Sequence, residues 1–380
     1  MNGSSEPTAF HLELLARIAT ETRVTADGYQ HAPLEGPVPA FGPRPAGPLP
    51  PKNEPDAPPQ LVHFLYARYH LNDPLEQERS RRAEPEQIPI VLREEPRLGA
   101  ELRAAHHGRG YADPGWRVVR REGDAVVVTK NDLSLLAGEQ DLVGRRSLPA
   151  PGTVVSLRFP SDRPYANPGF YTVVGNEGPA MPETRRTMAR VYFNIRASGA
   201  AALLSTLTGR LSQARVRFSF KVLNHPDAFT RPDSAVLYLY RHEFSRARRV
   251  LATVAETLRA HLAPGFPAFA RPIATGISVA EEPELDEPAR LSFGQHRAQL
   301  AAFGLTRAFH AGQDTPEQRY HAVLREFEAA GLDPSRPYLN AGSTDVYDLT
   351  GTPGELLARA TATLRHWASA VLPLPLPRRD

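Results

Sequence analysis

Hydrophobic and polar residues alternate in three segments near the middle of the chain. The segments are residues 190–196, 215–222 and 234–241. In the first, Val191, Phe193 and Ile195 share one side, and in the third, leucines alternate with tyrosines. A period of two residues is typical of a β-strand that buries one face. These segments therefore predict three strands with one apolar face and one polar face.

Other parts of the chain predict helices, a hairpin and further strands. Apolar residues at helical spacing predict helices over residues 7–22, 61–71, 199–213 and 243–262. Thr315 and Thr352 each precede a proline and stand three residues before glutamine or glutamate, which predicts two more helix starts. Residues 116–130 predict a β-hairpin, and residues 153–159 and 169–174 predict strands.

This order of elements predicts an α+β fold. We expect an antiparallel sheet with helices packed on one face and a polar, cationic face on the other. The predicted divisions are an N-terminal helical segment (1–31), a linker or flexible loop (32–60), a mixed α/β part (61–180), a core with the cationic face (181–310) and C-terminal helices (311–380). Eleven prolines within residues 32–60 support the second division.

Composition narrows the class of protein. The 380 residues include no cysteine, which excludes disulfide bonds, thiolate zinc sites and a cysteine nucleophile. No apolar run approaches the length of a membrane span, and the first residues lack the basic start of an export signal. We therefore expect a soluble, cytoplasmic protein without a membrane partner. The net charge of +3 does not imply nucleic-acid binding.

Several familiar catalytic motifs are absent from the sequence. It contains no phosphate-binding loop of the nucleotide hydrolases, no dinucleotide fingerprint, no zinc-protease motif and no nucleophile elbow. The adjacent His106 and His107 fit a solvated loop better than a metal site, so no metal is predicted. Glu281 and Glu282 precede a proline, and we interpret them as a solvated turn.

The polar face of the predicted sheet collects most of the candidate site residues. They are Arg190, Tyr192, Asn194, Arg217, Lys221, Tyr238 and Tyr240. Such a face is either a solvated surface or an anion site. Arg231 in a constrained turn, with an ion pair to a neighbouring aspartate as the alternative, favours an anion site. So do His296 and Arg297 at a predicted helix start, because helix N-termini and guanidinium groups suit phosphate.

Lys221 differs chemically from the arginines around it. Only three of the 45 basic residues are lysine, so a lysine inside a strand is less easily explained as an interchangeable surface cation. Neighbouring cations and partial burial disfavour an ammonium group and make a neutral amine available as a base, which arginine cannot provide. This pattern fits β-elimination from a phosphorylated residue or simple phosphate recognition, and patterning leaves both open.

Five sequence stretches, in this order along the chain, resemble the HopA-type family of type III effectors. They are RVYFNI, RFSFKVL, RPDSAVLYLYR, ARPIATGISVAEEP and SFGQHRAQL. The upstream LYARYHLN and GRGYADPGW are similar to the family's N-terminal part, so the resemblance extends over roughly residues 61–310. Members of this family also occur as lyase components in the biosynthesis of class V lanthipeptides and thioamide-containing peptides.

The resemblance implies a lyase that removes phosphate from phosphoserine or phosphothreonine of a precursor peptide, leaving dehydroalanine or dehydrobutyrine. A kinase-like partner would install the phosphate, and no cofactor is implied. By likeness to the phosphothreonine lyases of bacterial effectors, Lys221 would take the Cα proton. Arg231 and Arg297 would hold phosphate, and Tyr238 would lie beside the substrate. Those lyases use a histidine acid on a strand where this sequence has Tyr192 and Asn194, so the acid is His296 or Tyr192.

Three functional hypotheses follow from these observations. The first is a phosphoserine or phosphothreonine lyase in a ribosomal peptide pathway. The second is an effector-like lyase that acts on a host phosphoprotein. The third is a non-catalytic subunit that binds phosphopeptides with the same cationic face.

Overall fold

The computed structural model describes residues 6–31, 57–72, 95–164, 166–180, 188–283 and 291–349. Most of the predicted proline-rich linker, the helix predicted after Thr352 and the C-terminal residues 373–380 lie outside the described residues. No helix within the described ranges is long and apolar enough to cross a membrane.

Seven α-helices and twelve strands make up the described part of the chain. The helices are α1 (Glu6–Glu21), α2 (Pro59–Leu65), α3 (Pro96–Ala105), α4 (Ala200–Gln213), α5 (Phe244–Thr257), α6 (Phe293–His310) and α7 (Pro316–Ala329). Helix α2 continues into a π-helical turn, Tyr66–Leu71. The strands are β1 (Thr22–Thr25), β2 (Gly28–His31), β3 (Tyr111–Glu122), β4 (Ala125–Lys130), β5 (Leu133–Gly138), β6 (Val154–Phe159), β7 (Phe170–Val174), β8 (Met188–Phe193), β9 (Phe218–Leu223), β10 (Ala235–Tyr240), β11 (Arg271–Ala274) and β12 (Ile277–Glu281).

A six-stranded sheet forms the centre of the fold. Its strand order is β11-β12-β8-β10-β9-β7, and every pair is antiparallel. The predicted α+β class is therefore confirmed, as are the three alternating strands. The middle strand begins later than predicted because Arg215 adopts a left-handed backbone conformation with φ 52°. The amide of Val216 then closes a turn on the carbonyl of Leu211, at the end of α4.

One face of this sheet is largely apolar and buried. Val191, Phe193, Phe220, Val222 and Leu237 all have zero exposure in the main core. Helices α4 and α5 contact each other, α4 contacts β9, and both contribute leucine and alanine side chains to the same core. Burial of side chains this large supplies much of the hydrophobic free energy of folding.

A second, four-stranded sheet has a core of its own. Its order is β5-β4-β3-β6, also antiparallel, and it includes the hairpin predicted over residues 116–130. Trp116, Val118, Val126 and Val128 form the centre of a cluster that is separate from the main core. The mixed region of the sequence therefore contains a small all-β unit.

The N-terminal elements are joined to the aromatic helix α2 and its π-helical turn by a buried polar cluster. The hydroxyl of Tyr69 donates to Glu21 at 2.7 Å and lies 3.0 Å from His31 Nε2. Burial raises the pKa of Glu21, but hydrogen bonds from His31, Arg17 and Tyr69 outweigh it and lower the pKa to about 2. The charged carboxylate thus connects α1, the β1–β2 hairpin and the π-helical turn.

Helices α6 and α7 approach closely at a glycine, and this packing yields a stability prediction. A Cβ on Gly304 would lie 2.4 Å from Val323 Cα, whereas one on Gly209 in α4 would lie no nearer than 3.5 Å, to His107. We expect Gly304→Ala to lower the free energy of unfolding by about 1–3 kcal/mol through overpacking. The matched Gly209→Ala should raise it by about 0.5–1 kcal/mol because alanine favours helix. Urea denaturation of both variants checks this, and equal effects would contradict the packing argument.

Candidate active site

The candidate site lies on the face of the six-stranded sheet opposite the apolar one. Strand β10 runs between β8 and β9, so Tyr238 stands directly opposite Arg190 on one side and Ser219 on the other. Val236 stands opposite both Tyr192 and Lys221, and Lys221 stands opposite Thr172 at the sheet edge. Residues paired in register share a face. We call the side of the sheet with Arg190, Tyr192, Lys221 and Tyr238 the cationic face.

Tyr238 lies between the two cations of this face. Its ring centroid is 5.0 Å from Arg190 Cζ and 5.7 Å from Lys221 Nζ, and the amine also lies 4.5 Å from the ring centre of Phe170. Such distances place both cations within reach of the ring's negative face. Lys221 makes no ion pair or hydrogen bond with any described residue. Among the described residues its amine thus lies against aromatic rings without a hydrogen-bonding partner and is available to a ligand.

Arg190 is neutralised by a carboxylate from the neighbouring strand. Its Nη2 donates to Glu282 Oε1 at 2.7 Å, and its Nε contacts the second oxygen of the same carboxylate. Glu282 is only 6% exposed. The sequence-based interpretation of Glu281 and Glu282 as a solvated turn is therefore wrong. Both are buried, and Glu281 binds Arg241, Tyr347 and the amide of Asn340.

Arg231 also pairs with a buried carboxylate. Its Nη2 donates to Asp233 at 2.7 Å, which confirms the ion pair considered in the sequence. Burial raises the pKa of Asp233, but Arg231 outweighs it, and His70 and Lys221 lower that pKa further. The next residue, Ser234, fastens this turn to β8, because its hydroxyl lies 2.9 Å from the carbonyls of Phe193 and Ile195. Asp233 therefore lies near both Lys221 and His70 of the π-helical turn.

The aromatic residues of the π-helical turn cover part of the cationic face. Burial raises the pKa of the Tyr66 phenol to about 12, and Asp233, Arg231 and Arg190 are close enough to influence it. His70 is 2% exposed and stacks on Tyr66 at 5.4 Å. The rings of Tyr192, Phe269 and Phe293 surround the rest of the imidazole at 5.7–5.9 Å. The cationic face is thus a partly enclosed site rather than an open sheet surface.

His70 is a site residue that the sequence analysis missed. Its Nδ1 is buried without a hydrogen-bond partner among the described residues, and the same is true of the Tyr192 hydroxyl. The residue fits only because α6 has glycine at position 294, where a Cβ would come within 2.6 Å of three imidazole atoms. A detectable signal was the spacing of Tyr66 and His70, which puts both on one side of a helix.

His296 and Arg297 have structural partners instead. Arg297 is fully buried, and its guanidinium donates to the carbonyls of Pro337 at 2.7 Å and Leu339 at 3.1 Å and contacts His296 Nδ1. Burial lowers the pKa of Arg297 to about 9, and burial with the adjacent Arg297 lowers the pKa of His296 to about 3. The predicted phosphate-binding role of Arg297 and acid role of His296 therefore gain no support from this geometry.

Three further predicted residues, Asn194, Tyr240 and Arg217, do not join the cluster around Tyr238. Asn194 donates to the carbonyls of Pro264 and Gly265 and holds a loop. Tyr240, at the end of β10, stacks on His242, and Arg217 lies exposed just before β9. The structure brings together five of the ten predicted site residues. They are Arg190, Tyr192, Lys221, Arg231 and Tyr238.

The part of the chain that carries this face is similar to a known family of proteins. Residues 161–339 match the model of the HopA1 effector protein family. That stretch runs from just before β7 to just after α7 and contains all five clustered residues. The resemblance found in the sequence is thus confirmed for this part of the chain.

Two effector structures from Pseudomonas syringae are similar to the chain. The effector from pathovar tomato strain DC3000 is 18% identical with a TM-score of 0.36, over 45% of this chain and 63% of the effector. The chain therefore spans under two thirds of that effector's length. The effector from pathovar syringae strain 61 is 15% identical with a TM-score of 0.40, over 73% of this chain and 88% of the effector. No curated protein matches the sequence.

The enclosed imidazole predicts a specific pH dependence of stability. Burial lowers the pKa of His70 from 6.5 to about 3, so between these values the unfolded chain binds a proton that the folded protein does not. Stability therefore falls as the pH decreases, by about 1.4 kcal/mol per pH unit for one such group. We expect His70→Gln to reduce the slope of the free energy of unfolding against pH, near pH 5, by about 1.4 kcal/mol per pH unit, which corresponds to one proton.

The free energy of unfolding is measured by urea denaturation at several pH values between 4 and 7, and its slope against pH is compared between the variants. The pKa of His296 is lowered in the same direction, so His296→Gln serves as the matched variant, and the double variant should lose about two protons of slope. A slope that His70→Gln leaves unchanged would show that this imidazole is solvated.

Proposed function

We propose that this protein is a phosphoserine or phosphothreonine lyase that eliminates phosphate from a phosphorylated precursor peptide. The observation that carries the proposal is the position of Lys221. Its amine makes no ion pair or hydrogen bond with the described residues and lies over the rings of Phe170 and Tyr238. It shares its face of the sheet with Arg190 and lies near Asp233, the partner of Arg231. A base next to phosphate-binding cations is what β-elimination of phosphate requires.

The reaction assigns a separate task to each clustered residue. The amine of Lys221, once it has lost its own proton to solvent, removes the Cα proton, the released electron pair forms the Cα–Cβ double bond, and the Cβ–O bond breaks as inorganic phosphate leaves. Arg190 and Arg231 stabilise the charge that grows on the phosphate oxygens. The ring of Tyr238 lies between Arg190 and Lys221, with its centroid 5.0 Å from the guanidinium carbon and 5.7 Å from the amine. The product is dehydroalanine or dehydrobutyrine.

The charges on the cationic face favour binding of a phosphate dianion only if the phosphate lies next to Lys221, because both arginines are already paired with carboxylates. Arg190 and Arg231 are each compensated by a carboxylate, Glu282 and Asp233. The phosphate must therefore share the guanidinium groups with those carboxylates. Phosphate is therefore bound by direct hydrogen bonds from the guanidinium groups inside the site, and long-range electrostatic attraction contributes less.

Of the two acids named from the sequence, Tyr192 is the one on the cationic face. Burial raises the pKa of its phenol well above the ordinary value, so the hydroxyl stays protonated. A protonated hydroxyl without a hydrogen-bond partner among the described residues can donate a hydrogen bond to the leaving phosphate. The imidazole of His296 contacts Arg297, and its lowered pKa leaves it unprotonated at neutral pH. Tyr192 is therefore the hydrogen-bond donor of the proposal, and the arginines neutralise the remaining charge on the leaving phosphate.

A second candidate function rests on the family match. The matching family is described as one of effectors, which favours a lyase acting on a host phosphoprotein. The chemistry on the cationic face would be the same, and only the substrate would differ. A kinase-like partner belongs to the first function alone, because a precursor peptide has to be phosphorylated before elimination.

The direct test is mass spectrometry of a synthetic phosphothreonine peptide after incubation with purified protein. We expect loss of phosphoric acid with the wild type and trapping of the product by an added thiol. Lys221→Ala and Lys221→Arg should both lower turnover by at least about a thousandfold, because arginine keeps the charge but cannot act as the base.

Lys130 provides the matched control for this test. It is a lysine at the end of a strand in the other sheet and pairs with Asp113 at 2.7 Å. Lys130→Ala should keep turnover within about twofold. Release of phosphate with water added in place of the double bond would identify a phosphatase. Binding of the phosphopeptide without any reaction would support the scaffold hypothesis.

The proposed chemistry needs no metal ion, and this is open to test. Proton transfer to an amine and stabilisation by guanidinium groups together account for the elimination. We expect the purified protein to keep its full rate on a phosphorylated peptide in excess EDTA, measured by the same assay. Loss of elimination in EDTA and its recovery on adding a divalent metal would overturn the metal-free scheme.

A further inference from the structure

Strand β5 forms an open edge of the four-stranded sheet. It pairs with β4 on one side, and no described residue hydrogen-bonds to the backbone on its other side except at Gly138. An edge of this kind exposes a row of amide and carbonyl groups that can pair with another strand.

The turn between β4 and β5 determines which groups point outward. Its two residues, Asn131 and Asp132, have φ values of 47° and 61°, as in the tight turns that favour hairpins. Lys130 and Leu133 flank such a turn as a hydrogen-bonded pair, and hydrogen-bonded pairs then alternate along the strands. The N–H and C=O groups of Ser134, Leu136 and Gly138 therefore point away from β4. The N–H of Gly138 confirms this phase, because it donates to Asp141 Oδ2 at 2.9 Å.

The other edges of the two larger sheets in the described part of the chain are protected. The outer side of β6 accepts a hydrogen bond from Val143 at 2.9 Å. The outer side of β7 is bonded to Ser161 and Arg163 at 2.7 Å. Strand β11 contains Pro272, which blocks pairing. Natural proteins use such devices to prevent unwanted pairing at sheet edges.

Strand β5 has none of these protections. Its sequence, LSLLAG, contains no charge and no proline. Leu136 is 64% exposed, the highest value among the exposed large hydrophobic residues, and Leu133 is 54% exposed. A strand added at this edge would gain backbone hydrogen bonds and would also cover apolar side chains.

The charges at the ends of β5 indicate what kind of strand would bind. Asp132 precedes the strand and Glu139 follows it, and both are exposed and make no ion pair with the described residues. A second copy of this chain would place acidic residues against acidic residues in either orientation, which is unfavourable. A segment with basic residues at both ends would instead meet an opposite charge at each end.

We propose that the β5 edge binds an extended peptide segment that is apolar in its centre and basic at both ends. The peptide adds a fifth strand by pairing with the outward groups of Ser134 and Leu136. This inference does not depend on the proposed lyase activity, because it rests on a different sheet with its own core.

The test is fluorescence anisotropy of the full chain with a labelled peptide, Arg-Lys-Val-Thr-Val-Leu-Val-Lys-Arg. We expect saturable binding, and none with a peptide in which glutamate and aspartate replace the basic residues. Ser134→Pro removes one outward N–H without removing a β4 hydrogen bond, and should weaken binding about tenfold or more. Ser134→Thr keeps the N–H and is the matched control. The double variant Asp132→Asn with Glu139→Gln should weaken binding by about threefold to tenfold.

Hydrogen exchange followed by mass spectrometry over residues 131–138 supplies a second measurement. Added peptide should slow exchange in this segment of the wild type and not of Ser134→Pro. Equal binding by wild type and Ser134→Pro, or no binding at all, would overturn the proposal. Self-association of the wild type that Ser134→Pro abolishes would assign the edge to a second copy. Full protection before peptide is added would assign it to another segment of this chain.

Discussion

The ion pair between Arg190 and Glu282 determines the electrostatic character of the whole cationic face. A guanidinium buried under aromatic rings would be strongly destabilising without a partner. Glu282 supplies that partner from the end of β12, so the neighbouring strands β8 and β12 are joined by charge as well as by backbone hydrogen bonds. With Arg231 similarly paired to Asp233, Lys221 contributes a positive charge that no described residue compensates by a direct ion pair.

Aromatic side chains then decide how close these charges can come to each other and to solvent. Tyr238 separates Arg190 from Lys221, while Tyr66 and His70 lie over the same region from the π-helical turn. Removing water from a site strengthens every electrostatic interaction within it. The enclosure thus gives a small number of charges a large effect on a bound anion, and it depends on an unusually close approach of α6 at Gly294.

Much of the fold and half of the predicted site were accessible from the sequence. Alternation over the strands of Arg190, Lys221 and Tyr238 correctly predicted one shared face, because side chains two residues apart in a strand must point the same way. Residues outside that periodicity were predicted less well. Arg297 was predicted to bind phosphate and Glu282 to lie in a solvated turn, and only the three-dimensional packing reveals their buried partners. His70 was missed because its neighbours come from four different segments of the chain.

The cluster of Glu21, His31 and Tyr69 has a consequence for the active face. Tyr69 and His70 are adjacent, so the hydrogen bonds that anchor the Tyr69 ring also position the His70 ring against Tyr192. Helix α1 and the β1–β2 hairpin therefore help to position the π-helical turn that covers the site. A tag, a fused domain or a pulling force ahead of α1 would change the position of His70 and, through it, the surroundings of the reacting groups.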